Sequence, residues 1–428
     1  MATMTAARRQ RILIRALHAG VLCVLVRTVY LIITTTPTTA PTNMTTTRQS
    51  SWKSDTDEQL VKYYSSIFQD LIAEGFLTVK SRTLTIGAES PQCIAALRES
   101  GIKYSKAIKK NVLLPFMNNS FDSQFSSHSG LDSSMNPGEL SSELSRTLKP
   151  EGYLVIHTES KGSYSLNSLL ELFDSFKLIR SHEVPVQHWS IPRIREVVLK
   201  KQNGVLRRRR NLPGSCSVPA YKKELIQNSE PLIPEEPLKP WISLKRNLKN
   251  IKYLPSMADI SFKTRYIYID VGAKSYGSSI GSWFKKLYPK QNKPFKIFAI
   301  ESNKRFHQEY KSKKKITLLP YVAWVRNESL FFEINREPNS RNEDKGRGMG
   351  RVQSAQTSTS FLGDLNKIQG FDFPNWVKNS FTEKDFVVVK MDVEEQRERS
   401  SKYQNGYSEC MELFSSLREK GVLVHQWG

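Results

Sequence analysis

Cysteine, glycine and histidine are all scarce in this chain of 428 residues, and each shortage excludes a class of protein. The four cysteines, Cys23, Cys93, Cys216 and Cys410, lie far apart with no C-x-x-C pair. This argues against a zinc ribbon or a disulfide-dense scaffold and leaves isolated buried thiols as the simplest reading. Seven histidines are scattered, none at metal-ligand spacing from another, so no metal site is expected. No G-x-S-x-G elbow and no Walker loop is present. Acidic residues are also short, 41 against 64 lysines and arginines, giving a net charge of +23. That excess favours an acidic partner: nucleic acid, anionic lipid or a polyanionic glycan. Hydrophobic residues at 39% are too many for a wholly disordered chain and too few for a polytopic membrane protein. At about 150 residues per domain, the length predicts two or three domains.

Long apolar runs are few as well. Residues 12–33 are mostly apolar and follow Arg8, Arg9 and Arg11, but Arg15 and Arg27 interrupt them and leave an unbroken core only from Ala16 to Val26. The whole run is close to the ~20 residues that a membrane-spanning helix needs. Three readings stand: a type II signal anchor over 1–34, a cleaved signal or transit peptide, and a non-spanning amphipathic helix. The preceding positive charge orients an anchor with its N-terminus in the cytosol, and no A-x-A-like site follows promptly. The Thr/Pro-rich residues 35–53 read as a disordered stalk carrying the sequon Asn43-Met-Thr, with further sequons at Asn118 and Asn327.

Two αβ blocks follow. In the first, over 54–200, a helix is predicted from Ser54 or Asp55, with Leu60, Tyr64, Ile67, Phe68 and Leu71 at helical spacing and Gly75 closing it. Strands are expected at Thr83–Ile86, Phe121–Phe125, Tyr153–His157 and Arg195–Lys200. Helices are expected around Cys93–Glu99, Glu139–Arg146 and Leu166–Phe176. Alternation of this kind implies a mostly parallel, doubly wound sheet. Residues 201–256 read as a basic, Pro-rich linker. Its run Arg207–Arg210 suits either a nucleic-acid patch or a solvated loop, and with no accompanying nucleic-acid motif a nucleic-acid partner is not expected.

The second block, 257–428, holds the sharper pattern. An apolar strand ends in Asp270-Val271-Gly272-Ala273, and Gly277 opens the turn into an expected helix. A second strand, Lys296–Ile300, ends in Glu301, 31 residues after Asp270. Glycines at such a turn let a ligand approach the backbone, a helix N-terminus offers free N–H groups, and the acid is placed to accept two ribose hydroxyls. The bland alternative is an αβ unit without nucleotide, its Glu301 merely solvated. A strand pair is expected at Thr317–Trp324 and Ser329–Ile334. A buried strand, Asp385–Glu394, ends in the acids Asp392 and Glu394. A helix, Tyr407–Lys420, and a last strand, Val422–Trp427, close the chain.

Pro115-Phe116, Ser120-Phe121-Asp122 and Leu148-Lys-Pro-Glu-Gly-Tyr153 give the first block a resemblance to small-molecule S-adenosylmethionine-dependent methyltransferases. Its turn, Ile86-Gly87-Ala88-Glu89-Ser90, has one glycine where those enzymes carry two or three, and Tyr104–Lys110 lacks their ribose-binding acid. The block therefore reads as a degenerate methyltransferase fold without cofactor. The second block resembles the FkbM-type methyltransferases, and specifically a plant family with an N-terminal membrane anchor. The matching segments are Ile269–Ala273, Phe298–Glu301, Tyr321–Glu328, Lys390-Met-Asp392-Val-Glu394 and Gly421–Trp427.

By that resemblance the fold is α/β, two Rossmann-like class I methyltransferase domains after an anchor helix. S-adenosyl-L-methionine is the cofactor; Asp270, Gly272, Ala273, Gly277 and Glu301 bind it. Asp392 and Glu394 are the catalytic candidates, one of them taking the proton of an acceptor hydroxyl, or else both are structural acids. The implied location is the Golgi or endomembrane system; the acceptor is an acidic polysaccharide, which the net charge of +23 would suit, or another hydroxyl-bearing molecule. One departure matters: the family follows this acid pair with Gly-x-Glu and further sheet, whereas this chain reads Glu394-Glu-Gln-Arg-Glu-Arg and reaches its last helix at once. The second domain is thus expected to be shortened. That keeps open a rival reading, a non-catalytic membrane-tethered scaffold.

Overall fold

The computed structural model describes residues 55–108, 113–186, 192–203, 217–234, 250–334, 350–354, 365–391 and 404–426. The anchor segment, the stalk, Arg207–Arg210, Asp392 and Glu394 lie outside the described residues, as do Cys23 and Cys216. Among the described residues no helix is long and apolar enough to cross a membrane. Ser54–Gly428 forms one compact unit by its internal contacts.

The first sheet is built as its residues suggest. Helix α1 (Asp55–Ala73) carries Asp55, Asp57 and Glu58 in its first turn, where the helix dipole favours negative charge. It buries Val61, Tyr64, Ile67, Phe68 and Leu71, an i, i+3, i+4 stripe. Gly75, at φ +79°, ends the turn beyond it. There follow β1 (Thr83–Ile86), α2 (Ser90–Glu99), β2 (Ser105–Ile108), β3 (Phe121–Ser126), α3 (Pro137–Thr147), β4 (Leu148–Thr158), α4 (Ser163–Glu171), β5 (Phe176–Pro185) and β6 (Arg193–Lys201). The strand order is β2-β1-β3-β4-β6-β5. The first four strands are parallel, while β6 runs antiparallel to both β4 and β5. Leu84, Leu144, Leu148, Leu154, Ile156 and Leu199 are fully buried around this sheet, each contributing roughly 1.5–3 kcal/mol by leaving water. The helix expected to reach Phe176 stops at Glu171, because Phe176 turns inward as the first residue of β5.

The stretch read as a linker is partly structured. Helix α5 (Ala220–Gln227) packs near α4, with Tyr221 edge-on to Tyr164, ring centroids 6.0 Å apart. A short helix, α6 (Leu254–Met257), precedes the second sheet. Phe262 lies 1% exposed within the first hydrophobic core. Lys263 reaches Glu171 at 3.2 Å, and Lys384 pairs with Asp174. The two blocks thus share a core and ion pairs.

The second sheet has the order β14-β7-β8-β9, all parallel: β7 (Tyr266–Val271), β8 (Phe295–Ile300), β9 (Ile316–Leu319) and β14 (Phe386–Met391). Strand β7 is buried at every residue, as a central parallel strand should be. Ile267, Ile269 and Val271 fall in one apolar cluster and Tyr268 in another, so the two faces of β7 meet different layers. Arg265 grips Asp385 with Nε at 2.9 Å and Nη2 at 2.6 Å, fixing the start of β7 against that of β14. Helix α7 (Lys304–Lys311) lies between β8 and β9.

The expected strand pair divides between sheets. Strand β9 stays in the parallel sheet, while β10 (Val322–Trp324), β11 (Glu328–Ile334), β12 (Gly350–Ser354) and β13 (Leu365–Asp372) form a separate sheet of order β10-β13-β11-β12. Helix α8 (Phe373–Ser380) leads into β14, and α9 (Gln404–Glu419) follows it. The last expected strand, from Val422, is not one. Residues 422–426 run without strand pairing: Arg418 binds the Val424 carbonyl, His425 Nδ1 meets Glu230 at 2.7 Å, and Gln426 accepts from the Ile233 amide. The segment is thus held by Arg418 of α9 on its main chain and by its own His425 and Gln426 side chains on the former linker, with no neighbouring strand among the described residues. Of the thiols, Cys93 is buried as expected, while Cys410 is exposed.

Candidate functional site

In an open α/β sheet, ligands bind beyond the carboxyl ends of the parallel strands, where the strand order reverses. The molecule has two such places.

At the first, β1 ends in Ile86-Gly87-Ala88-Glu89, and side chains occupy the turn. Gly87 sits at φ +130°, and a Cβ there would lie 1.9 Å from Ser127 Oγ. The Glu89 carboxylate accepts hydrogen bonds from Ser127 Oγ at 2.6 Å and from Ser129 Oγ, while the Ala88 amide donates to Ser129 Oγ. Ser90 Oγ closes back on the Gly87 carbonyl. Side chains thus take the space that the missing side chain of Gly87 leaves.

At the second, the turn after β7 is held differently. Gly272, at φ +73°, lets the chain reverse, and the amides of Gly272 and Ala273 both donate to the Ile300 carbonyl. Glu301, at the end of β8, accepts from Lys274 N and from Asn303 N, each at 2.7 Å, one on each carboxylate oxygen. It is 7% exposed. A carboxylate has about four acceptor positions, so each oxygen retains one for a hydroxyl. Gly277 stands at the tip, with nothing within 4 Å of where a Cβ would be.

Asp270 is fully buried and lies across from Lys390 on β14, Oδ1 to Nζ 3.5 Å. Its Oδ2 is buried and has no hydrogen-bond partner of normal geometry among the described residues. Burial pushes this carboxyl above the usual range; the Lys390 ammonium and the nearby Ser279 and Tyr268 hydroxyls only partly oppose it.

The expected helix after Gly277 is a five-residue π-helical turn, Ile280–Phe284. Its start supplies no row of free amides, since Ser278 N and Gly281 N bond to the carbonyls of Ser275 and Tyr276. Sequence reasoning missed what shapes this turn. The Tyr276 ring lies against Gly281, where a Cβ would meet Cε1 at 2.7 Å, and Lys285 and Lys313 sit 5.2 and 4.7 Å from its centroid. Its amide is held by Glu309 of α7. The structure therefore places Asp270, Gly272 and Ala273 at the end of β7 beside Glu301 at the end of β8, with Gly277 in the turn that follows; Asp392 and Glu394 lie outside the described residues. Among the described residues no group of three or more His, Cys, Asp or Glu side chains is placed to hold a metal.

The fold and site define a doubly wound α/β protein with one open and one filled strand-end turn. A family model described as a domain of unknown function (DUF7870) matches residues 226–330, which hold this turn together with β7, β8 and β9. No curated protein matches the sequence. Among solved structures the chain is similar to 1,6-didemethyltoxoflavin-N1-methyltransferase from Burkholderia thailandensis, which was crystallised with S-adenosylhomocysteine. That similarity has 14% identity, covers 35% of this chain and 80% of that one, and gives a TM-score of 0.28. It is also similar to a SAM-dependent methyltransferase from Methanosarcina mazei (14% identity, 31% and 98% covered, TM-score 0.24) and to the [4+2]-cyclase SpnF (15% identity, 36% and 87% covered, TM-score 0.26). Likeness of this extent carries no argument about the chemistry of this protein.

Proposed function

We propose that the chain is an S-adenosylmethionine-dependent O-methyltransferase whose cofactor site is the turn between β7 and β8. The observation that carries the reading is Glu301, a nearly buried carboxylate spanning the open glycine turn with an acceptor position left on each oxygen. Vicinal ribose hydroxyls are the ligand groups that such a carboxylate suits. S-adenosylmethionine, when bound, supplies an electrophilic sulfonium methyl. Glu301 would fix the ribose, and Gly272, Ala273 and Gly277 would let the cofactor approach the backbone. Asp392 or Glu394 would take the acceptor's hydroxyl proton. Orientation of this kind supplies much of the acceleration in a group transfer.

On the same reading the N-terminal segment is a type II anchor in the Golgi or endomembrane system. The acceptor is a hydroxyl of an acidic glycan, which the +23 charge would attract. The filled turn at Glu89 favours a second reading for the first block alone, a scaffold that binds no cofactor.

Calorimetric titration of S-adenosylmethionine into the full-length protein tests the enzyme reading. Saturable binding that weakens about 10- to 100-fold in Glu301→Ala is expected, the range for loss of hydrogen bonds to a charged group. A folded wild-type protein that binds none would overturn it, and the scaffold reading would then extend to the whole chain.

A further inference from the structure

Asparagine followed two residues later by serine or threonine is the acceptor pattern for an N-linked oligosaccharide. Of its three occurrences in the chain, Asn118-Asn119-Ser120 and Asn327-Glu328-Ser329 lie within the described residues, and Asn43 lies outside them. The pattern alone is common; the structure adds three observations that the two sites share.

Both asparagines are exposed where the chain reverses. Asn118 and Asn119 form the turn that leads into β3, with Asn119 at φ +53°, a left-handed conformation that asparagine tolerates. The amides of Asn119 and Ser120 donate to the carbonyls of Arg146 and Thr147, which ties this turn to the end of α3. Asn327 closes the bend over 325–327 that joins β10 to β11.

The two side-chain amides are also oriented alike. Asn118 Oδ1 accepts from Arg146 Nη1 at 2.9 Å, and Asn327 Oδ1 accepts from the Asp372 amide at 2.8 Å. A guanidinium and a backbone N–H can only donate, so the oxygen has to face them and the nitrogen has to face away. Nδ2, the atom that carries a sugar, has no acceptor at either site among the described residues.

The third observation concerns the neighbours. The three most exposed large apolar side chains among the described residues are Met117 at 84%, Leu113 at 78% and Val325 at 70%. Met117 and Leu113 precede Asn118 by one and five residues, and Val325 precedes Asn327 by two. A bulky, solubilising substituent beside such side chains offsets their contact with water.

We propose that Asn118 and Asn327 are N-glycosylated. The inference rests on the reading that places this part of the chain in the lumen of the endomembrane system. The transfer is a substitution at the anomeric carbon of a lipid pyrophosphate-linked oligosaccharide. The bond from that carbon to the phosphate oxygen breaks, a bond to Nδ2 forms, Nδ2 gives up one proton, and the lipid pyrophosphate leaves with the electron pair. The carboxamide oxygen is untouched, so both hydrogen bonds to Oδ1 survive the modification.

The test is translation of the full-length chain, carrying Asn43→Gln, in the presence of endoplasmic-reticulum microsomes. Each occupied site is read as one electrophoretic increment that endoglycosidase H removes, and added protease reports separately whether the chain is lumenal. A protected chain with two increments is expected, one lost in Asn118→Gln, the other in Asn327→Gln and both in the double variant. Ser120→Ala and Ser329→Ala leave the asparagines in place and should lose the same increments, while Ser120→Thr and Ser329→Thr should keep them. A protected chain that lacks an increment would overturn the proposal at that asparagine and leave the lumenal reading standing. A chain open to the protease would overturn the lumenal reading and the proposal with it.

Discussion

The two strand-end turns have the same origin and opposite contents. Each follows the first parallel strand of its sheet, β1 or β7, and each contains a glycine with positive φ. At Gly87 the space that the missing side chain leaves is taken by Ser127 and Ser129, both bound to Glu89. At Gly272 and Gly277 the acid comes instead from the neighbouring strand end. Glu301 bridges the turn from outside it, and the tip stays open. A glycine therefore announces a backbone shape and says nothing of what fills it. The acid's position, on the turn itself or on the next strand, separates a closed turn from one with room for a ligand.

The largest expected effect that would break this contrast is on stability. Gly87→Ala places a Cβ 1.9 Å from Ser127 Oγ at φ +130°, and should cost about 3 kcal/mol in chemical denaturation. Gly277→Ala meets no atom within 4 Å and should change stability by less than about 0.5 kcal/mol, yet weaken S-adenosylmethionine binding about tenfold. Equal destabilisation by the two would show that both turns are packed alike. Next in size is Glu89→Ala, which removes the acceptor for two serines. It should cost about 1–2 kcal/mol and leave cofactor binding unchanged, in contrast to Glu301→Ala.

The pH dependence sharpens the comparison further. Asp132 carries a folded-state pKa of about 7 against an ordinary 3.8, so its contribution to stability falls as pH rises from about 4 to 7. The stability of Asp132→Asn relative to wild type should therefore rise between pH 4 and pH 8, measured by urea denaturation. The smallest effect belongs to the C-terminal segment. Burial lowers the His425 pKa below 6.5, aided by Arg418 and opposed by Glu230. Glu230 is itself held low by the Lys252 amide and His425, against its burial. The His425 contribution to stability is present above pH 6.5 and is lost as pH falls below it, while the Glu230 contribution persists until pH falls below 4.5. Hydrogen-exchange protection over residues 217–234, corrected for the intrinsic slowing of amide exchange in acid, should fall at pH 5 relative to pH 7.5, and more so in Glu230→Gln, which removes the group opposing the His425 shift.

Much of the fold was legible. The strands Thr83–Ile86 and Phe121–Phe125 and the helix from Asp55 sit where apolar spacing and capping residues put them, because local pattern and burial agree there. Strand β5 was not legible, since most of its residues face solvent and carry no alternation. Strand β2, Ser-Lys-Ala-Ile, is an edge strand whose polar residues hide it. Of the candidate site, the Asp-Val-Gly-Ala turn and Glu301 were readable because one βαβ unit contains them all. A cavity lined by Asp132 and Asp259 was not, since these residues are far apart in sequence and share a wall only through the packing of one block on the other.

The sequence by itself determined the alternation of elements, the glycine turns and the acid 31 residues after Asp270, because these follow from local backbone preference and periodicity. Only the tertiary structure decided which turn is filled. Ser127 and Ser129 reach Glu89 across about 40 residues of chain, and no local signal records that approach. The same holds for the chain's end, where pairing with Glu230 and Ile233 took the place of a strand. An apolar run sets a preference for extension, but a strand forms only where a neighbour offers its backbone, and among the described residues none does so beside 422–426.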